Sequence, residues 1–143
     1  MRRRKVKERI ILPDPRFNEV VVTKFVNNLM LKGKKNTAFK IFYDAVDIIE
    51  EKTSESGLDS WKTALKNVTP AVEVRSRRVG GATFQIPQPI RPDRKISTAM
   101  KWLITASRKR NEKSMASKLA QEILAAAKEE GAAVKKRVDT HKM

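Results

Sequence analysis

Three arginines fall within four consecutive positions, Arg75, Arg77 and Arg78, one residue before Gly80-Gly81, and Phe84 follows within the next few residues. A guanidinium presents N–H donors in a planar fork that matches a phosphate, and it cannot be deprotonated near neutrality. Arginines at this density, with an aromatic ring close by, have the chemistry to bind a phosphate backbone and stack on a base. Lys34-Lys35 stands ahead of a helical pattern, where free N–H groups and the helix dipole also favour phosphate. A third cationic group, Arg108-Lys109-Arg110, continues into Lys113 and Lys118. Those three also suit a helix C-terminus with no ligand at all.

Other chemistries lack their reagents. The 143 residues contain no cysteine and one histidine, His141. No disulfide and no Cys/His zinc site can be assembled within one chain, and no Cys nucleophile exists. A Ser–His–Asp site would hang on a histidine two residues from the end. Gly33-Lys34-Lys35 lacks the upstream glycine of a phosphate-binding loop, since Asn28 stands in its place. Asn67-Val68-Thr69 matches a glycosylation sequon by pattern only. No pair of carboxylates falls in an apolar setting suited to acid–base work. No metal, cofactor or enzymatic activity is therefore expected.

Composition agrees with a polyanionic partner. Lys and Arg number 32 against 16 acids, a formal net charge of +16, while 40% of residues are hydrophobic, too many for simple disorder. The charge is uneven. Residues 1–9 carry six cations and one acid. Asp44, Asp47, Glu50, Glu51, Glu55 and Asp59 face only Lys52 within residues 41–60, and residues 91–118 return to nine cations against Asp93 and Glu112. No apolar run approaches the roughly 18 residues of a membrane span, and no h-region follows MRRRKVKER, so neither a membrane location nor a secretory signal is expected.

The elements that must position these groups read as a single domain, mainly α: a bundle of five to six helices, one projecting β-hairpin and a basic extended N-terminal arm. Pro13 and Pro15 keep residues 1–18 from being helical. Val22, Phe25, Val26, Leu29 and Met30 recur at helical spacing, with Gly33 as the expected C-cap. A second helix is expected from an Asn36 or Thr37 N-cap, with Ala38, Ile41, Phe42, Ala45, Ile48 and Ile49 inward. Thr53–Gly57 is a polar connector. A third helix runs from about Asp59 to Val68 with Trp61 inward, and Pro70 stops it. Residues 71–90 are β-branched, have no helical period and turn at Gly80-Gly81, which predicts a hairpin. Alternation places Arg75 and Arg77 on one face and Arg78 on the other. Pro87, Pro89 and Pro92 are expected to end the second strand, and Pro87-Gln88-Pro89 to end it early. A fourth helix from near Asp93 turns Ile96, Met100, Leu103 and Ile104 inward and leaves Trp102 at the rim of the core. A fifth covers about Ser114–Glu130 and is closed by Gly131. A last helix begins at Ala132.

A ribbon with arginines on both faces cannot lie in a core, because buried unpaired charge is prohibitive. It can lie along RNA or DNA. A DNA-binding architectural protein remains open on these residues, as does an exposed hairpin that binds nothing. A hydrolase acting on RNA would need a general base or metal cluster, and neither is evident.

VEVRSRRVGGATFQIP, followed by RPDRK, closely resembles the universal small-subunit ribosomal protein S-seven family in its bacterial form. The resemblance extends through PDPRF, FVNNLMLKGKKNTAFKIFYDA, MKWLITASRKR and GAAVKKRVDTHKM, nearly the whole chain. It implies a non-enzymatic ribosomal component, cytoplasmic within the ribosome, that binds the 3′ major domain of the small-subunit RNA and starts assembly of the subunit head. The positions matching the family's basic pattern are Arg2, Arg3, Arg4, Lys5, Lys7, Arg9, Lys34, Lys35, Arg75, Arg77, Arg78, Arg94, Lys95, Arg108, Lys109, Arg110, Lys113 and Lys118. The resemblance implies rRNA contacts there. It implies proximity to exit-site tRNA for the hairpin tip, Val79, Gly80, Gly81, Ala82, Thr83 and Phe84, and for Lys135, Lys136 and Arg137. Further implied neighbours are the mRNA exit path, other proteins of the head and the platform protein S-eleven. Family members usually continue past the equivalent of Met143 with another stretch of helix, so contacts by such a tail are not carried over.

Overall fold

The computed structural model describes residues 10–141. Ile10–Pro13 have no regular structure, and the chain joins the body at Asp14, earlier than an arm reaching residue 18 implies. The reason is one carboxylate. Asp14 is buried and accepts hydrogen bonds from the N–H groups of Arg16 (3.1 Å), Phe17 (2.7 Å) and Glu19 (2.8 Å) and from the Tyr43 hydroxyl (3.0 Å). This turn drops Phe17 edge-on against Tyr43, with ring centroids 5.9 Å apart.

Among the described residues, six helices and one two-stranded sheet follow. Helix α1 (Val20–Leu29) buries Val22, Phe25, Val26 and Leu29. It ends at Leu29, where Met30 turns extended, rather than at the expected Gly33 cap. Gly33 lies in the next turn, in which Lys34 N–H donates to Leu31 C=O. That turn starts α2 (Lys35–Thr53) directly behind Lys34, so neither Asn36 nor Thr37 is its N-cap. Val46 joins Ala38, Phe42, Ala45 and Ile49 in the core, while Ile41 and Ile48 are half-buried at its edge. The acids Asp44, Asp47, Glu50 and Glu51 lie on the exposed side of α2.

Helix α3 (Gly57–Val68) starts two residues earlier than expected, with the Ser56 hydroxyl accepting from Asp59 N–H. Gly57 allows this start: a Cβ there would stand 2.5 Å from the Val46 carbonyl oxygen. Strands β1 (Val72–Val79) and β2 (Ala82–Pro89) form the hairpin. Helix α4 (Pro92–Arg108) opens with proline, which fits the first helical position because its missing N–H would have no partner there. Its buried part begins at Ala99, so Ile96, expected inward, is instead exposed in the first turn. Helix α5 (Met115–Ala127) is capped by the Ser114 hydroxyl. It ends three residues before the expected Glu130, and Asn67 Nδ2 from α3 donates to the terminal carbonyls of Ala126 (2.9 Å) and Ala127 (3.2 Å). Gly131 opens α6 (Gly131–His141) rather than closing α5.

The core is one cluster drawn from all six helices. At its centre Trp61 meets Phe25 and Phe42 edge-on, at centroid distances of 5.4 and 5.2 Å. Glu122 on α5 is also buried, an acid in an apolar setting that its sequence neighbours did not reveal. Its Oε1 accepts from Ala133 N–H in the first turn of α6 (3.2 Å), and its Oε2 lies 3.5 Å from Arg110 Nε after α4.

Asp14 makes the fold sensitive to acid. Burial alone would raise its pKa, but the hydrogen bonds from Phe17, Glu19, Tyr43 and Arg16 outweigh that, and the carboxyl titrates below its ordinary value. Stability from a carboxyl depressed in this way is present above the unfolded value, about 4, and is lost as pH falls through the folded value. Asp14→Asn is expected to cost about 1–3 kcal/mol at pH 7. The deficit should shrink toward pH 3, as measured by urea unfolding at both pH values; a deficit independent of pH would contradict this role.

Candidate nucleic-acid interface

The hairpin register pairs Val79 with Ala82, Arg78 with Thr83, Arg77 with Phe84 and Arg75 with Ile86. The two turn residues, Gly80 and Gly81, have φ of 57° and 86°. Positive φ at both positions defines a tight turn whose twist matches the strands, and only glycine adopts it without strain. Arg77 and Phe84, directly across from one another, share a face of the ribbon, while Arg78 points to the other. All three are exposed.

A two-residue turn also determines which pairs carry ladder hydrogen bonds. Val79 and Ala82 are a bonded pair, so alternate pairs back from the turn are non-bonded, including Val74–Pro87 and Val72–Pro89. Ile90 N–H donates to Ala71 C=O at 3.1 Å, in phase with this pattern. Pro87 and Pro89 therefore remove no ladder bond. Strand β2 continues through Pro89, correcting the expectation that the prolines end it early.

Where the ribbon leaves the body, an open groove of about 1050 Å³ lies between the hairpin root, α4 and α6. Among the described residues, Arg75, Arg91, Arg94, Lys101 and Lys136 line it against a single acid, Glu73. Arg94 Nε donates to Glu73 Oε2 at 3.2 Å, and Arg75 Nη2 stands 3.5 Å from Glu73 Oε1. Trp102 is half-buried, packs against the core and turns its ring toward the groove, where Lys136 Nζ sits 5.0 Å from its centroid. That contact matches the expected rim position and leaves part of the ring covered by a cation.

Arg75, Arg94 and Lys136 are thus brought together in one groove, and Arg77 and Arg78 extend the positive charge along the ribbon. Arg91 and Lys101 were not singled out from the sequence. Their signal was the spacing of Arg94, Thr98 and Lys101 along one side of α4, plus the position of Arg91 as its N-cap. The other predicted cations among the described residues lie outside the groove lining. Lys34 and Lys35 are exposed at the start of α2, and Lys109 and Lys113 are exposed after α4. Arg108 Nη2 donates to the Leu29 carbonyl (3.3 Å), closing the end of α1, and Arg110 is engaged with buried Glu122. Lys95, Lys118 and Arg137 are half-buried, and Lys135 is exposed on α6. The arm residues Arg2, Arg3, Arg4, Lys5, Lys7 and Arg9 lie outside the described residues, and the structure describes the backbone of Val79 but not the surroundings of its side chain.

Among the described residues no group of three or more His, Cys, Asp or Glu side chains could hold a metal ion, and no helix is long and apolar enough to cross a membrane.

The chain is 72% identical over 146 residues to the small ribosomal subunit protein uS7 of Flavobacterium psychrophilum, covering 100% of this chain and 92% of that protein. It is 64% identical over 143 residues to the uS7 protein of Cytophaga hutchinsonii, with the same coverage. It is 54% identical over 143 residues to that of a Caulobacter species, covering 99% of this chain and 91% of the relative. The family described as ribosomal protein S7p/S5e matches residues 1–143, and the chain belongs to that family.

Proposed function

We propose that the chain is a structural, non-enzymatic component of the small ribosomal subunit in the cytoplasm, and that it binds the subunit's RNA directly and nucleates assembly of the head around the 3′ major domain. The observation that carries this is the cationic groove at the hairpin root, continuous with the arginines of the ribbon. Multiple phosphate contacts release counterions, so binding weakens steeply with salt, by about 10³–10⁵ between 50 and 200 mM for 6–10 contacts. Specificity comes from the shape of an RNA junction and from unstacked bases.

The finer assignments follow the family resemblance. The tip, residues 79–84, lies near exit-site tRNA and the mRNA path, the lysines of α6 lie near the same tRNA, and protein neighbours include S-eleven and other head proteins. Phe84 supports the first of these, being 54% exposed at the end of a ribbon where little core can reach it. Stacking of an aromatic on a base contributes about 1–3 kcal/mol. Phe84→Ala is expected to weaken binding to RNA or tRNA about tenfold while leaving thermal unfolding unchanged. Unchanged affinity for both ligands would remove the stacking role.

The testing experiment is a competition titration at two salt concentrations. It uses a labelled fragment of the 3′ major domain junction with excess unrelated duplex RNA and DNA. Binding that survives the competitors supports the reading. Equal displacement by any polyanion reduces the interaction to charge alone, and a preference for bent duplex DNA would favour an architectural protein instead.

A further inference from the structure

We propose that Glu73 is a positioning residue for RNA recognition: by holding Arg75 and Arg94 in fixed orientation across the hairpin root, it sets specificity at the expense of raw affinity. This rests on the RNA-binding function proposed above.

Among the described residues, Glu73 is the one acid lining a groove with five cations. Toward a phosphate ligand its charge is repulsive, so electrostatics alone would favour its absence. Its geometry indicates another use. The side chain is only 15% exposed, against 60% for Arg94 and 62% for Arg75, so the carboxylate sits at the base and the guanidinium groups reach outward from it. The pair with Arg94 engages Nε, which leaves the two Nη groups of that guanidinium for a bidentate acceptor. Arg75 lies two residues along the same ribbon face, so its pair with Glu73 lies within one strand, whereas Arg94 belongs to α4. The carboxylate therefore bridges the hairpin to the helical body and orients both guanidinium groups. An arginine held in place loses less side-chain freedom on binding, and a ribbon held at its root presents Arg77 and Arg78 at a defined angle.

Two expectations separate positioning from a merely neutralising acid. Glu73→Gln keeps the size of the side chain and removes one negative charge. Affinity for unrelated duplex RNA should rise a few-fold, as charge dictates. Affinity for the 3′ major domain fragment should fall, so that the ratio of the two drops by about tenfold or more. Arg94→Gln should lower the same ratio, and the double variant should be no worse than the more affected single variant, because both remove one unit. The measurement is a titration of wild-type and variant full chains against each RNA, with circular dichroism melts to show that all are folded. If Glu73→Gln tightens both RNAs equally, or if its effect simply adds to that of Arg94→Gln, the positioning role is overturned. If the wild-type chain has no preference for the fragment, the RNA reading itself fails and the proposal falls with it. A preference that persists unchanged in Glu73→Gln overturns the proposal alone.

Discussion

Replacing Arg77 and Arg78 together by glutamine is expected to weaken RNA binding about 25- to 60-fold at 0.1 M salt. Each phosphate contact contributes a slope of about 0.7–0.9 in log affinity against log salt. Two lost contacts therefore flatten the slope by about 1.4–1.8 units, and at 0.1 M, one decade below 1 M, they cost that many powers of ten. Both side chains are exposed and neither takes part in an ion pair among the described residues, so their loss leaves the fold intact. They point to opposite faces of the ribbon. The full effect is therefore expected only if RNA surrounds the ribbon, and half of it if a single face lies on RNA. Titrations at four or five salt concentrations separate the cases, and an unchanged slope would remove the hairpin from the interface.

The largest effect on stability is expected at Trp61. It is fully buried, with Phe25 and Phe42 each meeting it edge-on. Trp61→Ala is expected to cost about 3–5 kcal/mol, because the cavity cannot collapse against two rings held by different helices. Against the roughly 5–15 kcal/mol that stabilises a domain of this kind, that is about a fifth of the total or more. The indole N–H is buried and has no hydrogen-bond partner among the described residues. Trp61→Phe removes this unpaired donor along with part of the ring volume, so the two changes partly offset and the loss is expected to stay near about 1 kcal/mol. Urea unfolding of the two variants checks both values. A loss below about 1 kcal/mol for Trp61→Ala would show that the rings are not the centre of the core.

Local signals were legible in the sequence. Gly80-Gly81 between β-branched runs specified both the hairpin and its turn, because glycine accepts the positive φ required at both turn positions. The apolar spacing around Phe25, Phe42 and Trp61 identified the helices and much of the core. Helix ends were less legible, because packing sets several of them. Lys34 precedes α2 without a capping side chain because the preceding turn delivers the chain there, and Asn67 completes the end of α5 from another helix. Ile96 matches a helical stripe and is exposed nonetheless, since a stripe does not reveal where the facing helices stop. For the site, Arg75 and Arg94 were legible as cations but not as partners of one acid. The groove joins residues 73 and 136, and no local pattern carries that distance. Burial of Asp14 and Glu122 was hidden for the same reason.

The two prolines of β2 bear on the life of the chain before it meets RNA. A two-stranded ribbon has two open edges, and each offers outward N–H and C=O groups on which another extended chain could build. On β2 the outward N–H groups belong to the non-bonded positions, and Pro87 and Pro89 supply none. A strand docking on this edge finds an interrupted ladder along the half nearest the body, while near the tip it meets exposed Arg77 and Arg78 across the turn. The β2 edge of the ribbon can thus project unpaired from a newly made protein with little tendency to template aggregation.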